Sequence, residues 1–459
     1  MNETKELIEF LSCTHFEDLP EEVVEAAKMS VLDTIGVALY GSQTKSSLAV
    51  AEFVKECRSV ADSGVWGHGW KTSAPYAALV NGTSAHGIEM DDHGTVLNIH
   101  CSPAVIPAVF AVWEKTQANG KDAIAAVVAG YEVSFRLSDA LRGSCQQRFY
   151  GSPIKSLFGA TVAAGRLLGL DNNTMLNAMG IAGSMASGLR EWANDPKGTM
   201  VKRFNGGGWP AHNGVLAALL ALKGLTGPAT ILEGERGVCR AFGIENEPRI
   251  EKLTEDLGKH YMIMKRCIKP YAACAVLLAS VDCVNEMKST FKIEPSQIEH
   301  IAIGCSLKSF DMHDNKEPES IMAAQYSMPF VTALAFWENL SDVSVWDDQV
   351  LFRRDVKDLI QKIEMYIDEE LEKIYQETNY YGGTKMTIRL KDGKEHKIWV
   401  KYSKGTLENP ATAEDIHQKF NVLAFHILAE KKVNEVAQLI NKLEEMRSPV
   451  RLSEALIKH

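Results

Sequence analysis

The chain has 459 residues, 46% of them hydrophobic and 24% charged, and a formal net charge of -10 with a pI near 5.8. That length exceeds one ordinary core, so two domains, or one large domain with an insert, are expected. The acidic balance argues against nucleic acid as a partner, and no uncharged apolar run reaches the roughly eighteen residues that a membrane span needs.

The opening MNETKELIEFL lacks the basic-then-apolar pattern of a signal peptide. The nine cysteines form no C-x-x-C pair and are expected to be reduced thiols of a cytoplasmic protein. Helices come first in chain order. ELIEFLSC and PEEVVEAAKMSVLDTIGVALYG have apolar residues at three and four spacing, with Pro20 at a start and Gly41 at a stop. SSLAVAEFVKEC follows as an amphipathic helix, then an Ala-rich one, APYAALVNGTSAHG.

The stretch from Glu89 to His100, EMDDHGTVLNIH, breaks this pattern. It gathers Glu89, Asp91, Asp92, His93 and His100 between two apolar helices and has no apolar period of its own. A plain connector would carry one capping Asp and a Gly, since each further carboxylate beside apolar helices costs desolvation unless it is paired. Such a loop is expected to form a site, with one of Asp91 and Asp92 orienting a histidine and the other capping the following helix.

Beyond it, DAIAAVVAGYEVSFRLSDALRG and FGATVAAGRLLGL read as helices, separated by a polar break holding Arg148, Tyr150 and Lys155. TMLNAMGIAGSMASGL suits a buried helix. REWANDPKGTMVKRFNGGGWPAHNG reads as a long glycine-interrupted loop carrying Lys197, Lys202, Arg203 and His212, and GVLAALLALKGLTG as a helix again. Past Lys265 the pattern changes. IEHIAIGCSLKSF and KMTIRLKDGKEHKIWVKY alternate like strands, the second around an Asp-Gly turn that predicts a hairpin. From Thr412 onward a pair of amphipathic helices is expected to rejoin the first domain.

Acid/base chemistry fits these residues best. GGG at 206–208 lacks the phosphate-loop spacing, G-x-S-x-G is absent, and the histidines and carboxylates match no standard metal-ligand pair. No metal is expected. Carboxylate, His, Tyr and Lys, tuned by burial, suit proton transfer beside a carboxylate.

VLDTIGVALYG (31–41), SAHGIEMDDH (84–93), the H-x-S-x-x-V-I-P run from His100 to Pro107, FGATVAAGRLLGL (158–170) and GIAGSMASGL (180–189) resemble the MmgE/PrpD family. So do WPAHNGVLAALLALKGLTGPATILEGERG (209–237), IKPYAAC (268–274) and QYSMPF (325–330), in the family's order over nearly the whole chain. The resemblance implies a mainly α fold: a large all-α domain from residues 1–266 and 404–459, and a smaller α+β lid over 267–403. It also implies a homodimer and, as in the 2-methylcitrate dehydratases, cis-aconitate decarboxylase and iminodisuccinate epimerase of the family, an enzyme without metal or organic cofactor.

The resemblance puts Glu89, Asp91, Asp92, His93 and His100 in the family's acidic loop, Lys202 at its pocket lysine and Lys269 at a domain-junction lysine. Phe330 lies where the decarboxylases have an aromatic residue. Two departures stand out. Tyr150 and Leu278 replace histidines usual in the dehydratases and decarboxylases, which favours an isomerase of the epimerase kind over a lyase, and leaves a non-catalytic carboxylate-binding relative as a further alternative. Tyr150, Lys202, Asp91 and His100 are the catalytic candidates. His93, Glu89, Asp92, Arg148, Arg203, Lys269 and Phe330 are the candidates for binding a small di- or tricarboxylate, with the lid closing over it and Lys269 at the hinge.

Overall fold

The computed structural model describes residues 2–94, 96–142, 145, 148–195, 199–243 and 247–457. Lys197 and the Gln146–Gln147 part of the polar break lie outside them. Two compact units are formed: Met1–Glu191, Met200–Arg266 and Ala413–His459 make the first, and Trp192–Thr199 with Cys267–Thr412 make the second. The chain is mainly α, and among the described residues no helix is long and apolar enough to cross a membrane.

The first unit begins with α1 (Glu3–Cys13), α2 (Glu21–Gly41) and α3 (Lys45–Glu56). Pro20 stands immediately before α2 and Gly41 ends it. Nearly every side chain of α2 is buried, because α4 (Ala74–Ala85) and the C-terminal α18 (Ala413–Ala424) both pack on it. Glycine makes this possible: a β-carbon at Gly36 would lie 3.1 Å from the Phe420 backbone. Two strands of two residues each, β1 (Ser63–Gly64) and β2 (Lys71–Thr72), pair between α3 and α4.

Next come α5 (Ser102–Thr116), α6 (Gly120–Leu141), α7 (Gly151–Leu167) and α8 (Asn172–Met185). Helix α7 packs on α6 and on the later α10. A short α9 (Val201–Arg203) runs through a π turn, Phe204–Gly208, into α10 (Trp209–Leu222). This corrects the sequence reading, which takes the chain through His212 as loop. The glycine triplet does not break the helix, because each glycine lets a neighbouring backbone or ring come closer than a side chain permits: a β-carbon at Gly207 would meet the Gly82 carbonyl at 2.1 Å. A short α11 (Val238–Phe242) follows. At the other end of the chain α19 (Glu430–Asn441) packs on α2, and α20 (Val450–Leu456), not anticipated from sequence, on α19.

In the second unit α12 (Leu278–Phe291) packs against a sheet of four strands ordered β4-β3-β5-β6. β3 (Ile298–Cys305) and the hairpin β5 (Thr384–Leu390) and β6 (Glu395–Val400) are antiparallel neighbours. The Asp392-Gly393 turn behaves as predicted, with Gly393 at φ 85°. β4 (Ile363–Ile367) pairs parallel to β3 and is absent from the sequence reading. Ile298, Ile301, Ile303, Met386 and Ile388 are among the sheet residues in a core shared with Val281 and Val284 of α12. Five further short helices, α13 (Leu307–His313), α14 (Ile321–Gln325), α15 (Met328–Ala335), α16 (Arg354–Ile360) and α17 (Glu369–Thr378), complete the unit.

Candidate active site

Glu89 through His100 forms an irregular segment between α4 and α5, and its acidic residues are buried: Glu89 and Asp91 fully, Asp92 and His93 almost so. Buried carboxylates need partners. Asp92 finds two in structural elements. Its Oδ1 accepts the backbone N–H of Ser102, the first residue of α5, at 3.0 Å, and its Oδ2 accepts the hydroxyl of Tyr131 from α6. Burial and the charge of Asp92 push the Tyr131 phenol well above its ordinary range, so it stays a donor.

Asp91 faces imidazoles instead. Its Oδ2 lies 2.7 Å from Nδ1 of His100 and 3.0 Å from Nδ1 of His86. The His86 Nε2 is 3.1 Å from the Tyr150 hydroxyl. A carboxylate, an imidazole and a phenol therefore stand in line. Burial holds His86 down at about 4, against the upward pull of Asp91 and with the Lys202 charge adding to the depression. At neutral pH the ring is neutral, and the tautomer with hydrogen on Nδ1 suits both neighbours: it donates toward Asp91 and accepts from Tyr150.

His86 is the main residue that sequence reasoning misses. It ends α4 as the C-cap, and SAHG reads there as a small-residue helix tail. The argument that Tyr150 leaves the site short of an imidazole is thereby corrected. One reaches the tyrosine from α4, across the chain.

Glu89 anchors the cationic side. Lys202 Nζ donates to its Oε1, and Arg203 Nη1 donates to the same oxygen at 3.2 Å and to the His86 carbonyl at 3.0 Å. Glu89 has φ 58°, the left-handed region that L side chains adopt at a cost, and such strain concentrates at functional sites. The π turn after α9 is a further mark of this kind. It exists to make room: a β-carbon at Gly206 would sit 2.4 Å from the His86 ring and 3.1 Å from the Tyr150 hydroxyl. Gly206→Ala is expected to cost about 1–3 kcal/mol of stability through overpacking against a ring with no free space, read as a lower melting temperature, and to lower turnover by displacing His86.

The first turn of α7 aligns both proton carriers. Tyr150 is its N-cap residue, Ser152 Oγ accepts the His100 backbone N–H at 3.2 Å, and the buried Lys155 donates to the Asn98 carbonyl at 2.8 Å. Asn98 is itself at φ 52°, so Lys155 ties down the bend that delivers His100. Burial lowers the Lys155 pKa. From the far end of the chain, Lys419 of α18 donates to the Met90 carbonyl at 2.6 Å and pairs with Asp33 of α2 at 2.6 Å. Burial raises Asp33 to about 6 in spite of Lys419, and Asp92 and Asp91 add to the rise.

Of the sequence candidates, the fold thus gathers Glu89, Asp91, Asp92, His100, Tyr150, Lys202 and Arg203, with His93 beside them, its ring centroid 6.4 Å from that of His100. Arg148 is not gathered. It is exposed. Lys269 and Phe330 belong to the second unit, both buried there, Phe330 capped by Ser327 through its N–H at 3.0 Å. Glu89 is committed to Lys202 and Arg203, and the described group able to hold a cation is His86, Asp91 and His100.

Residues 5–251 match the MmgE/PrpD N-terminal domain and residues 271–445 the MmgE/PrpD C-terminal domain. The chain belongs to the MmgE/PrpD family. Among its relatives is a cis-aconitate decarboxylase of Aspergillus terreus (strain NIH 2624 / FGSC A1156), 28% identical over 99% of this chain and 95% of the relative. The cis-aconitate decarboxylase of Homo sapiens is 25% identical over 93% of this chain and 89% of the relative. This MmgE/PrpD chain is an enzyme of the lyase-or-isomerase kind, and the names its relatives carry are those of a lyase.

Proposed function

We propose that this MmgE/PrpD enzyme is a lyase that removes carbon dioxide from a small unsaturated tricarboxylate of the cis-aconitate kind. The relatives reverse the order of the two readings drawn from the sequence: those reported above are decarboxylases, and none carries an epimerase name. The observation that carries the chemistry is Asp91 between two imidazoles, one of which reaches Tyr150. Decarboxylation breaks one carbon–carbon bond, leaves the electron pair on the remaining skeleton, and needs a proton delivered to carbon. His100 held by Asp91, and Tyr150 held by His86, are two proton carriers with ordered partners, as such a step requires.

Lys202 and Arg203 supply positive charge for substrate carboxylates, with Glu89 setting their positions. Burial of Asp91 and His86 keeps water from competing for the same protons. The nine cysteines form no disulfide, which supports the cytoplasmic placement, and the expected assembly is a homodimer, to be read by light scattering.

Incubation with cis-aconitate in deuterated water, followed by proton NMR, tests the function. Release of carbon dioxide with one deuterium placed on the five-carbon product is the expected result. Deuterium exchange into a panel of di- and tricarboxylates with no carbon lost would overturn it in favour of an isomerase. Thermal stabilisation by these acids without exchange or turnover would mark a binding protein.

A further inference from the structure

The cluster at Asp91 has a second chemistry available to it. One ring nitrogen each of His86 and His100 and a carboxylate oxygen of Asp91 lie within 4.8 Å of one another, and Asp91 Oδ2 is 3.0 Å from His86 Nδ1 and 2.7 Å from His100 Nδ1. Two imidazoles and a carboxylate are a donor set that zinc takes in sites with an open fourth position. At bond lengths of about 2.0–2.1 Å a tetrahedral zinc spaces its donors by roughly 3.3 Å, so the two nitrogens need to move from the Asp91 oxygen by roughly 0.3 Å and 0.6 Å.

We propose that the chain binds one zinc ion, or another borderline-soft divalent cation, at His86, Asp91 and His100, and that the bound ion inhibits the enzyme by displacing the protons Asp91 shares with the two rings. Three further observations favour it. His86 and Asp91 are fully buried and already oriented, so little freedom is lost on binding. His86 already turns one ring nitrogen, Nδ1, to Asp91 Oδ2 at 3.0 Å, inside the cluster that would hold the ion. Its other nitrogen meets the Tyr150 hydroxyl, the kind of outer partner that fixes a ligating ring.

His100 is partly exposed, which gives an entry route. The opposing charge of Lys202 and Arg203 is taken up by Glu89. Zinc is proposed here as an inhibitor and has no part in the catalytic step.

The test titrates the chelator-treated full chain with zinc chloride by calorimetry and repeats it with cobalt(II), whose visible spectrum reports its ligands. One ion per chain is expected, bound at least tenfold more weakly by His100→Gln and by Asp91→Asn, with a four-coordinate cobalt spectrum free of thiolate charge-transfer bands. Circular dichroism checks the fold of each variant, and the wild-type cobalt spectrum reports the coordination number and any thiolate ligand whether or not the variants fold. Binding that is absent, that survives in both variants, or that shows thiolate bands from exposed Cys13 and Cys57 would overturn the site. Binding is read without any substrate, so its failure is distinct from failure of the decarboxylase reading. Zinc-reversible loss of turnover, restored by chelator, is the expected companion result, and turnover unchanged at full occupancy would overturn the inhibitory role.

Discussion

Asp91→Asn is expected to lower turnover by about a hundredfold or more with little change in melting temperature, while its neighbour Asp92→Asn does the reverse. The two side chains differ by one position in sequence and by their whole surroundings in space. Asp91 Oδ2 meets Nδ1 of both His86 and His100. An amide there keeps the shape and one acceptor oxygen but removes the carboxylate charge that faces both rings, which is a loss in the chemistry.

Asp92 is spent on structure. It accepts the N–H of Ser102 at the start of α5 and the hydroxyl of Tyr131, and an amide weakens both bonds, the first also losing its favourable charge at a helix N-terminus. About 1–2 kcal/mol of stability is expected to go, with turnover within a few-fold of wild type. Chemical denaturation and steady-state kinetics on both variants read the contrast. Equal behaviour of the two, in either measurement, would dissolve this division of roles.

That division marks the limit of what sequence carries here. The density of ionisable groups in EMDDHGTVLNIH is enough to locate a site, because apolar helices flank it on both sides and solvated charge has no place between them. Which aspartate orients and which caps depends on α6 and on the C-cap of α4, whose residues Tyr131 and His86 are distant in sequence or disguised as a helix end. Asp33 leaves a faint signal, a lone carboxylate in the apolar stretch VLDTIGV of α2. Its partner Lys419 leaves none, since it lies 386 residues later on a helix whose charges read as an ordinary solvated face.

The glycine triplet shows the opposite failure. Read by local rule, GGG ends a helix, whereas close approach of His86, Gly82 and Thr83 makes glycine necessary within one. The strand β4 was missed for a similar reason. IEMYI is short and two of its outward residues are charged or polar, and only its pairing beside β3 makes it a strand.

Tyr150→Phe and Lys202→Met are expected to separate in the same manner, although the sequence makes both of them catalytic candidates. Phenylalanine keeps the ring at the start of α7 and removes only the hydroxyl that faces His86 Nε2. If that hydroxyl carries a proton in the reaction, kcat falls by about a hundredfold or more while KM stays close to wild type. Lys202 is fully buried with its ammonium on Glu89, and to act as a base it would first have to surrender that pair. Its truncation leaves Glu89 paired with Arg203 at 3.2 Å, and breaking a buried pair from one side costs about 3 kcal/mol or more. Lys202→Met is therefore expected to lower the melting temperature markedly and to raise KM, with a smaller effect on kcat than Tyr150→Phe. Lys202→Arg, which retains the charge, should recover most of the stability. A Tyr150→Phe enzyme with wild-type kcat would make the His86–Tyr150 contact a structural one and leave His100, on Asp91, as the sole proton carrier of this site.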